Sequence, residues 1–200
     1  MSDTPTTSNT SNTADSILRC AQSLIVAGGY NGFSYADIAK VIGIRNASIH
    51  HHFPSKAILV RTLVARYREE MQAGISNLEH GISDPLEQLR AYARYWETCI
   101  ADASSSFCVC ALLASEMPIL PEEIAVEVRA HFRVLSTWLT AVFARGAKEG
   151  RLQLTESAAV EADIFMAAVH GAMLSARAFG DAGMFGAIIN PVLARVVRRD

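Results

Sequence analysis

The amino-acid sequence predicts an all-α fold: a small N-terminal three-helix unit followed by a larger helical body. Three observations predict it. Apolar residues recur at intervals of three and four along most of the chain, as they do on the buried stripe of a helix. No stretch shows the strict alternation of a half-buried strand. Glycine and proline fall mostly where the periodic stretches begin or end, with Pro191 an exception.

Residues 1–14, MSDTPTTSNTSNTA, form a Ser/Thr/Asn-rich tail with too little apolar surface to order itself. They lack the basic and apolar blocks of a signal peptide. The first helix is expected over Asp15 to Ala27, with Ile17, Ala21 and Leu24 on one face and Gly28-Gly29 as its stop. Ser34 then caps a second helix, with Asp37 at the third helical position and Ile38 and Ile42 facing the core. Gly43 closes that helix. A third, short helix follows Ile44, with Asn46 and Ser48 near its start, and ends before Pro54.

Ser55 caps a longer helix that carries Leu59, Leu63 and Tyr67 and reaches about Leu78. Ser83, Asp84 and Pro85 restart the chain into a helix to about Ile100. Residues 103–106 read as a polar break, and Phe107 to Glu116 as a short apolar helix ended by Pro118. From Pro121 a long helix places Ile124, Val128, Phe132, Leu135, Leu139 and Val142 on one stripe until Gly150. Ser157 or Thr155 caps the next, to about Phe179. Gly183 to Val197 is the last, with Pro191 predicting a kink or a late start.

Two short helices joined by a tight turn bury little alone. Over Ser34 to Lys56 they fit the helix-turn-helix arrangement, whose second helix lies in the DNA major groove. Charge agrees: residues 15–66 carry +4, residues 67–200 carry −5, and Asp3 adds −1, for −2 over the whole chain. A cationic end on an acidic body suits phosphate binding. The expected division is a polar tail (1–14), a DNA-binding domain (15–62) and a ligand-binding and dimerisation body (63–200).

Several classes are disfavoured. No run of 18 uncharged apolar residues exists, so no membrane span is expected. Four cysteines without an export signal fit a reduced cytoplasm. There is no Gly-rich phosphate loop, no His-Glu-x-x-His pair and no nucleophile–base spacing, so neither an enzyme nor a cofactor is expected. Adjacent histidines on a helix point about 100° apart, so His50, His51 and His52 do not converge on a metal. A helical carrier is the more distant alternative.

The N-terminal pattern resembles the TetR family of transcriptional regulators. The likeness covers about Asp15 to Leu63: an aliphatic first helix, Gly29-Tyr30 and Gly32-Phe33, Ser34-x-x-Asp37-Ile38-Ala39, Gly43-Ile44, Ala47-Ser48-Ile49 and His52-Phe53-Pro54-Ser55-Lys56. The resemblance implies about nine helices, a homodimer built by the last two long ones, and repression relieved by a small molecule. It implies DNA-facing roles for Ser34, Arg45, Asn46, Ala47, Ser48, His50, His51 and Lys56, with Ile49 and Phe53 in the core. Arg45 and Asn46 have the chemistry for base edges, and Lys56 that for a phosphate. Where the family usually shows two tyrosines, this chain has His50 and His51. A protonated imidazole binds phosphate more strongly, so DNA affinity is expected to vary with pH.

The body supplies an aromatic and apolar lining for an effector: Tyr92, Trp96, Phe107, Leu112, Trp138, Phe165 and Met166, with His131 and His170 as polar anchors. Each is also an ordinary core residue by type. Cys108, at the start of the expected Phe107–Glu116 helix, is a candidate thiol switch. The stretch FCVCALLASE looks like that of a member sensing reactive electrophiles; buried, inert thiols are the alternative. The helix around Ile164, Phe165, Met166, Val169, Met173 and Leu174 is apolar nearly all round, which asks for a second copy on its uncovered side.

Overall fold

The computed structural model describes residues 7–102 and 107–197. Among them are nine α-helices: α1 (Thr7–Gly28), α2 (Tyr35–Ile42), α3 (Asn46–His52), α4 (Lys56–Gly81), α5 (Pro85–Ala101), α6 (Val109–Ser115), α7 (Glu122–Lys148), α8 (Ala158–Phe179) and α9 (Gly183–Val196). Short 3-10 turns occupy Tyr30–Gly32 and Met117–Ile119. The chain forms two compact units. One holds residues 1–68 and 109–129, the other 69–108 and 130–200. The expected boundary at residue 62 falls within α4, and α6 with the start of α7 belongs to the first unit.

In the first unit, Ile17, Ala21 and Ile25 of α1 are fully buried, and α1 packs on α2, α3 and α6. Leu24, expected on that stripe, is half-buried. The helix starts at Thr7, not Asp15, so residues 7–14 are helical; 1–6 lie outside the described residues. Once the packed turns nucleate the helix, each upstream residue adds one hydrogen bond with little further ordering cost. Ser16 Oγ donates to Asn12 O (2.9 Å), and Arg66 pairs with Asp15.

In the second unit, Asp84 Oδ1 accepts Leu86 N–H (2.8 Å) and Glu87 N–H (3.2 Å), capping α5 as its sequence suggests. Ser157 caps α8 through Val160 N–H (3.3 Å). Buried Glu161 gathers Thr155 N–H (3.0 Å), Thr155 O–H (2.9 Å) and Glu156 N–H (3.2 Å) on one carboxylate oxygen. Burial pushes its pKa up, but these hydrogen bonds outweigh that and hold it below the usual carboxylate value. Gly146 leaves room for Leu152, whose Cδ1 would stand 2.4 Å from an added Cβ.

Two expected bounds are corrected here. The helix after Phe107 begins at Val109 and stops at Ser115, because Pro118 forces the following residues into a 3-10 turn. Helix α9 runs through Pro191 with no late start; the ring is exposed, where a lost helical hydrogen bond is replaced by water. The polar break at 103–106 lies outside the described residues. Helix α8 is long and apolar enough to cross a membrane. In the fold, Phe165, Val169, Ala172 and Met173 are buried, and the helix packs on α9 and α5. Val160, Ile164, Leu174 and Phe179 stay exposed.

Candidate nucleic-acid interface

Helices α2 and α3 are set by their ends. Ser34 donates both its N–H and its hydroxyl to Asp37 Oδ2, each at 2.7 Å. The hydroxyl bond, then the backbone one, holds the Asp37 carboxyl below its usual range. Gly43 has φ +72°, a left-handed conformation that L side chains rarely adopt, and its N–H closes α2 on Ala39 O (2.9 Å). Arg45 leads into α3 in extended conformation, and its carbonyl accepts Ser48 N–H (2.9 Å).

The inner faces lock the pair. Ile38, Ile49, Phe53 and Tyr35 are buried, and Tyr35 O–H donates to Phe53 O (2.8 Å). Burial, with the neighbouring Tyr30, pushes the Tyr35 phenol up to about 12. The Tyr35 ring also lies against His50, centroids 4.7 Å apart.

The outer face of α3 carries the predicted residues. Asn46, Ala47, His50 and His51 are exposed, at spacings that share one side of a helix, with exposed Arg45 just ahead of them. Ser48 is half-buried and turned partly away from them. Ser34 is exposed, but its hydroxyl is already bound to Asp37. Val41 was passed over by the sequence reading. It is 65 % exposed on α2, off the Ile38–Ile42 stripe, an aliphatic residue with no core role.

Lys56 departs from its expected phosphate contact. Its ammonium donates to Phe33 O and lies over the Phe33 ring (4.1 Å) and the Tyr30 ring (4.9 Å). Burial pulls its pKa down, against the charges of Asp37 and Glu116, which raise it. An amine so engaged braces the unit from within.

The predicted effector residues divide between the units. Leu112, half-buried on α6, belongs to the first and does not join the rest. In the second, Tyr92 packs against Trp138 (5.5 Å between centroids) and Phe165 (6.3 Å), and Phe165 against Phe143 (6.0 Å). Burial drives the Tyr92 phenol far up. The Phe132 ring stands between those of His131 (5.7 Å) and His170 (5.4 Å). Trp96 and Phe107 are buried, the latter under the Arg177 guanidinium (5.7 Å), and Met166 is half-buried. Trp138 Nε1 and His170 Nε2 are buried without a hydrogen-bond partner.

Cys108 precedes α6 and is 1 % exposed, with Sγ 3.9 Å from His131 Nε2. An open cleft of about 630 Å³ between α5 and α9 is lined by other residues, among them Arg90, Arg94, Glu97, Phe185 and Ile189.

A short exposed helix, α3, locked against α1 and α2, is the arrangement of a helix-turn-helix DNA-binding protein. Residues 17–63 match the family model described as bacterial regulatory proteins, tetR family. The whole fold is similar to a TetR-family transcriptional regulator from Agrobacterium tumefaciens, at 66 % sequence identity and TM-score 0.93, covering 94 % of this chain and 100 % of that one. It is similar to a TetR transcriptional regulator from Legionella pneumophila at 28 % identity and TM-score 0.83, covering 92 % and 97 %. NemR of E. coli in its reduced form shares the fold at TM-score 0.79 over 92 % and 97 %, with 17 % identity. No curated protein matches. The chain belongs to the TetR family and is a DNA-binding transcriptional regulator.

Proposed function

We propose that the protein is a homodimeric repressor of an inverted-repeat operator, released by a small apolar or aromatic effector. The exposed side of α3, with Arg45 and Asn46 at its start, carries the DNA half of this reading. Arg45 addresses guanine edges and Asn46 adenine edges in the major groove, while His50 and His51 reach phosphate. Paired recognition helices enter successive major grooves when their spacing is about 34–36 Å. The apolar stripe of Val160, Ile164 and Leu174 on α8 supports a twofold interface.

The effector half rests on the Tyr92–Trp138–Phe165 cluster. The unpartnered indole N–H of Trp138 and the imidazole nitrogen of His170 would gain from a polar atom on a bound molecule. Such a molecule lowers DNA affinity by no more than its differential affinity for the two states of the protein. The site of action is then the compartment that holds the DNA.

A mobility-shift assay on the DNA upstream of the protein's own gene tests the reading. Saturable, salt-sensitive binding to one segment supports it, and equal binding to random duplex refutes it. Quenching of Trp138 emission by an effector that also releases the duplex supports the second half.

A second reading has its own observation. Cys108 Sγ lies beside His131, which can take the thiol proton while the sulfur bonds to an electrophilic carbon. Burial of Cys108 works against access. Electrophile-induced release of DNA in the wild type but not in Cys108→Ser supports this switch, and equal release in both refutes it.

A further inference from the structure

The link between α1 and α2 is held from two sides. Gly29 to Phe33 carries the chain from α1 into the helix-turn-helix, with residues 30–32 in a 3-10 turn. Tyr30 N–H donates to Glu116 Oε2 (2.8 Å), a residue 86 positions away and just before the Met117–Ile119 turn. At the other end of the link, the Lys56 ammonium holds Phe33 O. Gly29 has φ +76°, and a Cβ there would stand 2.1 Å from Glu116 Oε1. The carboxylate thus occupies the space a side chain would need. Glu123 is the further acidic group acting on Tyr30.

We infer that Glu116 is a positioning residue for DNA reading: with Lys56 it clamps the Gly29–Phe33 link and so fixes the placement of α2 and α3 on α1. This rests on the DNA-binding reading above. The link is the sole covalent route from α1 to α2, and α1 packs on both reading helices. A carboxylate accepting a backbone N–H makes a stronger hydrogen bond than a neutral acceptor, and it leaves that part-buried amide satisfied. Glu116 sits at the corner between α6 and α7, so the corner is tied directly to the placement of the reading helices.

The clamp and a simple charge effect predict opposite signs. Removing an acidic residue from a phosphate-binding unit strengthens DNA binding by electrostatics alone, equally in Glu116→Gln and Glu116→Ala. Loss of the clamp weakens binding, and only where the acceptor is lost. The test uses full-length protein and a duplex carrying the inverted repeat that the wild type selects from a random pool. It is paired with amide hydrogen exchange at Tyr30.

The expected result is about tenfold weaker binding by Glu116→Ala, the usual worth of one charged hydrogen bond. Glu116→Gln should stay within about twofold of the wild type, because its carbonyl still accepts Tyr30 N–H. Tyr30 exchange should accelerate in Glu116→Ala only. If Glu116→Ala does not fold, Glu116→Asp, one methylene short, should show the same direction. Equal or tighter binding by Glu116→Ala, with unchanged Tyr30 exchange, overturns the proposal. If the wild type selects no repeat, the DNA reading fails, and Tyr30 exchange alone still judges the clamp.

Discussion

Helix α8 offers the most direct structural perturbation. Leu174 lies amid its apolar surface with 59 % of its area exposed. Fully burying a leucine contributes about 1.5–3 kcal/mol, so covering the exposed part contributes about 1–2 kcal/mol. A twofold axis counts each contact twice, giving about 2–4 kcal/mol for the dimer. Leu174→Glu forfeits this and sets two carboxylates against an apolar surface. The dimer dissociation constant should rise at least about thirtyfold. Sedimentation velocity across a concentration series reads the change. Leu174→Ala should lie between the wild type and the glutamate variant, and affinity for a two-half-site duplex should fall in the same order. If Leu174→Glu keeps a dissociation constant within about threefold of the wild type, the stripe on α8 is not the interface and the twofold argument fails.

Other perturbations follow from the same geometry. Arg45→Ala should cost about 1–3 kcal/mol of operator affinity and relax base preference, read by competition with random duplex. Lys56→Met should lower the melting temperature yet leave the salt slope of DNA binding unchanged, because its ammonium is held by Phe33 O; a slope reduced by about one would return Lys56 to phosphate. Glu161 has a lowered folded-state pKa, so the unfolded chain binds its proton more readily. Its contribution to stability is present above the unfolded pKa and lost as pH falls through the folded one. Over that acidic range, unfolding free energy read by circular dichroism should therefore fall more steeply with decreasing pH in the wild type than in Glu161→Gln.

Local chemistry made the reading head legible. Ser34 with Asp37 and Gly43 at positive φ act over a few residues, and Ile38, Ile49 and Phe53 lie within one short stretch, so the sequence shows each device directly. For Lys56, sequence gives the charge and the place at a helix start. That the chain folds back to offer the Phe33 carbonyl is a tertiary fact. The bond from Tyr30 to Glu116 crosses 86 residues and leaves one local trace, a glycine where a Cβ would collide. Apolar periodicity located the body's helices but not which aromatics converge. Leu112 has the same pattern as its neighbours in the effector list and yet packs in the other unit. Residues 7–14 read as tail because their composition is polar, whereas a preformed packed helix extends through polar sequence at little cost.

Selection of duplexes from a random pool by the full-length protein is the measurement that bears hardest on the account. Enrichment of an inverted repeat with half-site centres about one helical turn, or a multiple of it, apart is the expected result. Recovery of sequences with no twofold symmetry, or no enrichment at all, would contradict it.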